Sequence, residues 1–245
     1  MSNLKDSIYQ SIIIEGQMLL HCGPIFFLRT HEPKPMNVFN NGTFGLVDTG
    51  TKKLLVTCAH VWTEFMSERG EHPGARLAVL LGTNRPVIIS TTPVDVNTDL
   101  DLATFDMEPF LPEFTHRHFY ETFKHTVPVV KSKDVLASVG YLGEARQLSP
   151  LGANFGYEFT GISVADVSGP FICVDVSKTK RFRDPDGSRI AHPKSLGGIS
   201  GSPAYLLERS GILRLSGFVT SSVLGTVRLT HVACVNGDGT ISRAR

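Results

Sequence analysis

Short apolar runs separated by Gly, Pro, Asn and Asp recur along most of the chain. Eight of them predict strands: Thr43–Val47, Leu54–Thr57, Arg76–Leu81, Pro86–Ser90, Leu102–Phe105, Phe171–Val176, Ser202–Leu207 and Ile212–Thr220. Each is rich in β-branched or aromatic residues, which suit a pleated, half-buried surface, and each is bounded by turn-forming residues. Only the stretches His60–Arg69 and Phe114–Lys124 predict helix, and both are short. Many brief strands without intervening long helices predict an all-β sandwich or barrel rather than βαβ units. The least strand-like region, Glu108–Lys133, carries Pro109, Pro112 and Pro128 and reads as a connection between two halves. This reading divides the chain into lobes 1–120 and 121–245.

Composition narrows the class. The 245 residues, 41% of them hydrophobic, can bury the core of one large β domain or of two small packed lobes. A net charge of +1 provides no field to gather polyanions, so nucleic acid is not expected as a partner. The basic run Lys178–Arg183 leads into Asp184-Pro185-Asp186-Gly187 and reads as a solvated loop. Cys22, Cys58, Cys173 and Cys234 form no CxxC pair, which argues against a zinc ribbon or a redox dithiol. His21, His31, His116, His118 and His125 form no HExxH, and His116-Arg117-His118 reads as an exposed loop; no metal or cofactor is expected. Asp6, Gln10, Glu15, Gly16 and Gln17 interrupt the N-terminal apolar residues, so neither a signal peptide nor a membrane span is predicted there. These features together lead to the expectation of a reducing cytoplasm.

The chemistry begins with SLGGISGSPAY, Ser195–Tyr205. Ser200 stands between Gly198 and Gly201, where missing Cβ atoms permit a tight turn and let a substrate carbonyl approach the backbone amides. An attacking serine needs an exposed hydroxyl with N–H donors nearby, aimed at the oxyanion that its attack creates. A base is also required. His60 follows the apolar run Leu54–Thr57, where a core would hold its imidazole while one ring edge faces a cleft. The third member is a carboxylate that orients the imidazole, and Asn97-Thr98-Asp99-Leu100-Asp101-Leu102-Ala103 offers two. Strand alternation would put Asp99, Asp101 and Ala103 on one side, leaving Asp99 and Asp101 as competitors.

Thr57-Cys58-Ala59-His60, Asp101-Leu102-Ala103 and Gly198-Ile199-Ser200-Gly201-Ser202-Pro203 resemble the three signature blocks of trypsin-like (chymotrypsin-fold) serine proteases. The order His, Asp, Ser is also the order of that family. Asn41–Val47 resembles the glycine-bearing strand upstream of the histidine in bacterial members, and Asp99–Ala103 resembles their aspartate block, which favours Asp101. The resemblance spans residues 40 to 235 and is strongest to bacterial intracellular-type members lacking disulfides. It implies two six-stranded antiparallel β-barrels with the active site in the cleft between them. It further implies a peptide hydrolase with catalytic His60, Asp101 and Ser200, an oxyanion hole from the N–H groups of Gly198 and Ser200, and a protein or peptide substrate. Leu215–Ser222 resembles the cleft strand that pairs with the peptide. Lys194 falls near the floor of the specificity pocket and Ser222 and Thr226 near its walls, and Thr220 and Ser221 of the cleft strand are further expected substrate-binding residues. A lysine at the floor would favour acidic side chains; the other reading points Lys194 to solvent.

The chain also departs from that family. Ile199 occupies the position where secreted trypsins have the aspartate that receives a freed N-terminus. Ile13-Ile14-Glu15-Gly16 resembles a mature trypsin N-terminus, yet no Lys or Arg precedes it, so no zymogen cleavage is expected. Val61 stands where secreted members have a cysteine, and Asn236–Arg245 reads as a turn and tail in place of the family's C-terminal helix. Ile199 leaves open a second reading, a catalytically silent or partner-gated recognition module that an activating protein would switch on. A non-peptide esterase fits the residue order and the strand pattern less well.

Overall fold

The computed structural model describes residues 12–29, 38–82, 85–114, 116–149, 152–181, 197–208, 210–223 and 226–243. Cys22–Leu28, CGPIFFL, forms β1 and is buried at every position. Its two faces pack into different clusters, Ile25 and Phe27 into one and Phe26 and Leu28, with Phe155, into the other, while β2 (Val38–Asp48) and β4 (Arg76–Leu80) pair antiparallel along its edges. The other strands of this sheet are β3 (Lys53–Thr57), β5 (Pro86–Ile88), β6 (Asp95–Asn97) and β7 (Leu102–Asp106). They run in the order β5-β4-β1-β2-β3-β7-β6, and β8 (Tyr120–Glu121) pairs with β2 in parallel.

The remaining strands are β9 (Val135–Ser149), β10 (Gly152–Ser168), β11 (Phe171–Arg181), β12 (Pro203–Leu207), β13 (Leu213–Val223) and β14 (Thr226–His231). They close a six-stranded antiparallel barrel in the order β10-β11-β14-β13-β12-β9. The all-β expectation holds, with a closed barrel joined to the first sheet. That first sheet differs from the expected six strands: it has eight, and among the described residues its end strands β5 and β6 do not pair with each other.

Three apolar clusters hold these parts. Ile25, Phe27, Phe44, Leu55, Val79 and Phe105 fill the first sheet's core. Leu136, Ile162, Val174, Val219, Val227 and Leu229 fill the barrel. Val47, Leu54, Leu102, Val139, Tyr205 and Phe218 come from both halves and form a third core at the seam. Full burial of each large side chain contributes roughly 1.5–3 kcal/mol, so this seam fixes one half against the other. The approach is close enough that a Cβ on Gly45 of β2 would lie 2.8 Å from the Phe218 ring of β13.

Every predicted strand run overlaps a strand, although Leu81, Ile89 and Ser90 lie beyond the ends of β4 and β5, and Ser202 and Ile212 lie just before β12 and β13. The expected helix at His60–Arg69 lies within α2 (Ala59–Glu71), which follows α1 at residues 12–20. Ile13-Ile14-Glu15-Gly16 is therefore part of a helix. Phe114–Lys124 is not helical as expected: it contains β8 and one 3-10 turn, Thr122–Lys124. A longer 3-10 helix precedes it at Glu108–Glu113, where Pro109 suits the first turn and Pro112 removes an N–H donor further on. The triplet His116-Arg117-His118 is not wholly exposed either, because Arg117 turns inward to donate to Leu19 O and, at 3.0 Å, to the Tyr141 hydroxyl. After β14 a 3-10 turn at Val232–Cys234 leads to a bridge between Val235 and Ile241. No helix among the described residues is long and apolar enough to cross a membrane.

Candidate active site

The N-terminus of α2 needs an acceptor that its own sequence does not provide. Its N-cap residue, Cys58, makes no side-chain capping bond, and the first turn contains no acid. The acceptor comes from the turn between β6 and β7, where Asp101 Oδ1 receives the backbone N–H of His60 at 3.0 Å. The same carboxylate lies 2.8 Å from His60 Nδ1 through Oδ2. A carboxylate facing Nδ1 keeps the proton on that nitrogen and leaves the Nε2 lone pair as the base. Asp101 is largely buried, whereas the imidazole is 40% exposed, so one ring edge is open to solvent. The hydrogen bond that Asp101 accepts from Nδ1 raises the His60 pKa above its ordinary value; burial opposes the rise, and the charges of Asp101 and Glu64 add to it.

Asp101 is not on a strand, contrary to the alternation expected of residues 99–103. It is the last residue of a turn and adopts a left-handed backbone, φ +52°. Asn97 Oδ1 accepts Leu100 N–H at 3.0 Å, Leu100 is buried, and Thr230 Oγ1 from β14 donates to Leu100 O at 2.6 Å. The barrel thus helps to set the turn that carries Asp101. Asp99 is exposed in the same turn, and His60 Nδ1 bonds to Asp101.

Around Ser200 the backbone is shaped by two glycines with positive φ, Gly198 at +97° and Gly201 at +89°. Gly201 allows no side chain, since a Cβ there would lie 2.1 Å from Thr43 O. Gly201 N–H donates to Val219 O at 2.7 Å, and the Cys58 thiol donates to the same carbonyl at 3.1 Å. The residue after Ser200 and the residue two before His60 therefore meet on one atom. Among the described residues, the N–H groups of Gly198, Ile199 and Ser200 have no acceptor, and Ser200 Oγ makes no hydrogen bond to His60. Hydroxyl–imidazole contacts of this kind are often long in free enzymes and tighten when substrate binds.

Ile199 is partly buried against the barrel core. Its side chain fills the space over Gly140 of β9, where an added Cβ would lie 3.0 Å from Ile199 Cγ2 and 2.2 Å from Ser202 Oγ. An apolar plug here does what an ion pair would do, anchoring the loop from behind.

The expected substrate-binding residues separate into three groups. Lys194 lies outside the described residues, as does the side chain of Ser222. Thr220 is buried and its hydroxyl donates to Arg228 O at 3.1 Å, which leaves only its main chain for a ligand. Ser221 is half-buried on β13, and Thr226 is exposed at the start of β14. Cys58, His60 and Asp101 could be read as metal ligands, since their ligand atoms lie within 4.8 Å of one another. Their ligand atoms are engaged otherwise: the Cys58 thiol, whose pKa burial pushes up, donates to Val219 O, and Asp101 accepts the His60 backbone N–H and faces His60 Nδ1. A separate cavity of about 260 Å³, lined by Tyr120, Phe123, His125, Val127, Leu215 and Val235 among others, contains none of the three candidate catalytic residues.

Thr43, Gly140 and Val219, none of them named as site residues from the sequence, hold the Ser200 loop; Thr43 and Val219 lie in the runs Asn41–Val47 and Leu215–Ser222, whereas Gly140 lies in no predicted element. No family model and no curated protein matches the chain. Among solved structures it is similar to the serine protease of a human pathogenic astrovirus, at 12% identity and a TM-score of 0.45, over 87% of this chain and 90% of that one. It is also similar to the thermostable serine protease AL20 from an extremophilic microorganism, at 10% identity and a TM-score of 0.43, over 86% and 90% of the two chains.

Proposed function

We propose that this chain is a serine endopeptidase that works through an acyl-enzyme intermediate. The observation that carries this reading is the 2.8 Å contact between Asp101 Oδ2 and His60 Nδ1, which leaves Nε2 as the free base. In the proposed reaction Ser200 Oγ attacks a peptide carbonyl while His60 Nε2 takes its proton. The unpaired N–H groups of Gly198 and Ser200 stabilise the oxyanion. The tetrahedral intermediate collapses, His60 returns the proton to the leaving amine, and water repeats the sequence on the acyl ester. Asp101 remains a carboxylate and stabilises the transient imidazolium. We further propose a reducing compartment such as the cytoplasm, supported by the fact that none of the four cysteines forms a disulfide.

One observation favours a second reading, the partner-gated module: the Ser200–His60 hydrogen bond is not formed. Fluorophosphonate labelling of the isolated protein separates the two. The endopeptidase reading expects labelling of wild type, none of Ser200→Ala, and the same melting temperature for both. A silent wild type that labels only after cell extract is added would support gating. Equal labelling of Ser200→Ala would remove Ser200 from the mechanism.

A further inference from the structure

Thr43 lies on β2, in the other half of the molecule from Ser200, and is fully buried. It is nevertheless hydrogen-bonded to the Ser200 loop twice. Its N–H donates to Ser200 O at 2.8 Å and its hydroxyl donates to Gly198 O at 2.8 Å. The hydroxyl also accepts Tyr141 N–H from β9 at 2.9 Å, and Thr43 O accepts the Thr57 hydroxyl at 2.8 Å. The direction of this relay is unambiguous, because a backbone N–H can only donate and a backbone carbonyl can only accept. The single hydroxyl proton must therefore point to Gly198.

A trans peptide holds its C=O and the following N–H in one plane, pointing in opposite directions, so pinning a carbonyl aims the next N–H. Four successive planes are pinned in this way. Gly143 N–H holds Gly197 O at 2.8 Å, which aims Gly198 N–H; Ser202 N–H holds Ile199 O at 2.9 Å, which aims Ser200 N–H. The Thr43 N–H holds Ser200 O, and the plane between Gly198 and Ile199 is held by the Thr43 hydroxyl. That last pin is made by a side chain, whereas backbone N–H groups hold the carbonyls of Gly197, Ile199 and Ser200. It also falls beside Gly198, at φ +97°, where the missing Cβ makes rotation of a peptide easiest.

We propose that the Thr43 hydroxyl is a positioning group for oxyanion stabilisation: it fixes the Gly198–Ile199 peptide so that the N–H groups of Gly198 and Ser200 converge on one point. This rests on the endopeptidase reading of the site. Thr43→Val keeps the shape and removes the hydroxyl, whereas Thr43→Ser keeps the hydroxyl.

The test is the second-order rate of fluorophosphonate labelling across pH, well below each variant's melting temperature. Thr43→Val should slow labelling by roughly tenfold or more, short of the ~10²–10³ typical for removing an oxyanion donor itself. Thr43→Ser should recover to within about threefold of wild type, and the acid midpoint of the profile should not move, because His60 and Asp101 are untouched. Thr43→Ala serves as a second hydroxyl-free variant if Thr43→Val does not fold. Labelling of the hydroxyl-free variants at the wild-type rate would overturn the proposal and leave the endopeptidase reading intact. The proposal also fails if Thr43→Ser is as slow as Thr43→Val, if the acid midpoint shifts, or if neither hydroxyl-free variant folds. A wild type that does not label at all overturns the endopeptidase reading and this proposal with it.

Discussion

Asp101 binds His60 twice, through the backbone N–H at 3.0 Å and through Nδ1 at 2.8 Å. One carboxylate therefore caps a helix and orients the imidazole that the helix carries. The two roles separate by mutation. Asp101→Asn keeps an oxygen for the backbone N–H but cannot hold the imidazole tautomer, so labelling should fall by orders of magnitude, toward the ~10⁴ seen when a triad aspartate is amidated. Its melting temperature should change little. Asp101→Ala loses both bonds and should in addition lose about 0.5–2 kcal/mol, the usual cost of deleting a helix cap. Equal stability of the two variants in a denaturant titration would contradict the capping role.

The raised His60 pKa makes activity and stability depend on pH in opposite directions. Catalysis needs the neutral imidazole, so the acid limb of the labelling rate should have its midpoint above the ordinary value of 6.5. Stabilisation of the folded state by the charged pair is complete below the unfolded-state pKa and is lost as pH rises through the higher folded-state value. Asp101→Asn should move the acid limb down. A wild-type midpoint below 6.5, read from the pH profile, would contradict the arrangement.

Gly201 and Gly211 both have positive φ, +89° and +83°, but only the first is crowded. Gly211→Ala meets nothing within 4 Å and should lose only the ~1–2 kcal/mol of a left-handed non-glycine residue. Gly201→Ala would bring a Cβ within 2.1 Å of Thr43 O and 2.7 Å of Thr57 Oγ1, both within the seam. It should lose more than about 3 kcal/mol together with labelling. Thermal melts of the pair decide the matter, and similar values would mean that the loop relaxes freely.

Ile199 anchors the Ser200 loop through apolar packing, so its replacements should rank by polarity. Ile199→Val removes one methylene and should cost about 0.5–1.5 kcal/mol with labelling near the wild-type rate. Ile199→Asp would face a carboxylate toward Gly140 and the barrel core, and should lower the melting temperature and labelling together. Full labelling of Ile199→Asp would show that something other than packing holds the loop.

Much of the fold was legible because its signals are local. Apolar runs between turn residues marked eight strands, and the stretch His60–Arg69 marked most of α2. Glycines on either side of Ser200 marked a turn that only glycine can make. The longest hairpin, β9 with β10, was missed. Gly140, Gly143, Glu144 and Arg146 break the apolar pattern of β9, and its pairing comes from the facing strand rather than from its own alternation.

Local sequence alone set the strand-rich class, a helix at His60–Arg69 and the short set of side chains from which a site could be built, because apolar patterning, turn residues and glycine placement act over a few residues. Tertiary contacts alone put Asp101 in a turn facing His60 Nδ1, gave the first sheet eight strands whose ends do not pair with each other among the described residues, and set the Thr43 hydroxyl on Gly198 across 155 residues of chain. These outcomes depend on hydrogen bonds and packing between segments distant in sequence. No local pattern encodes such partners until the two halves meet at their seam.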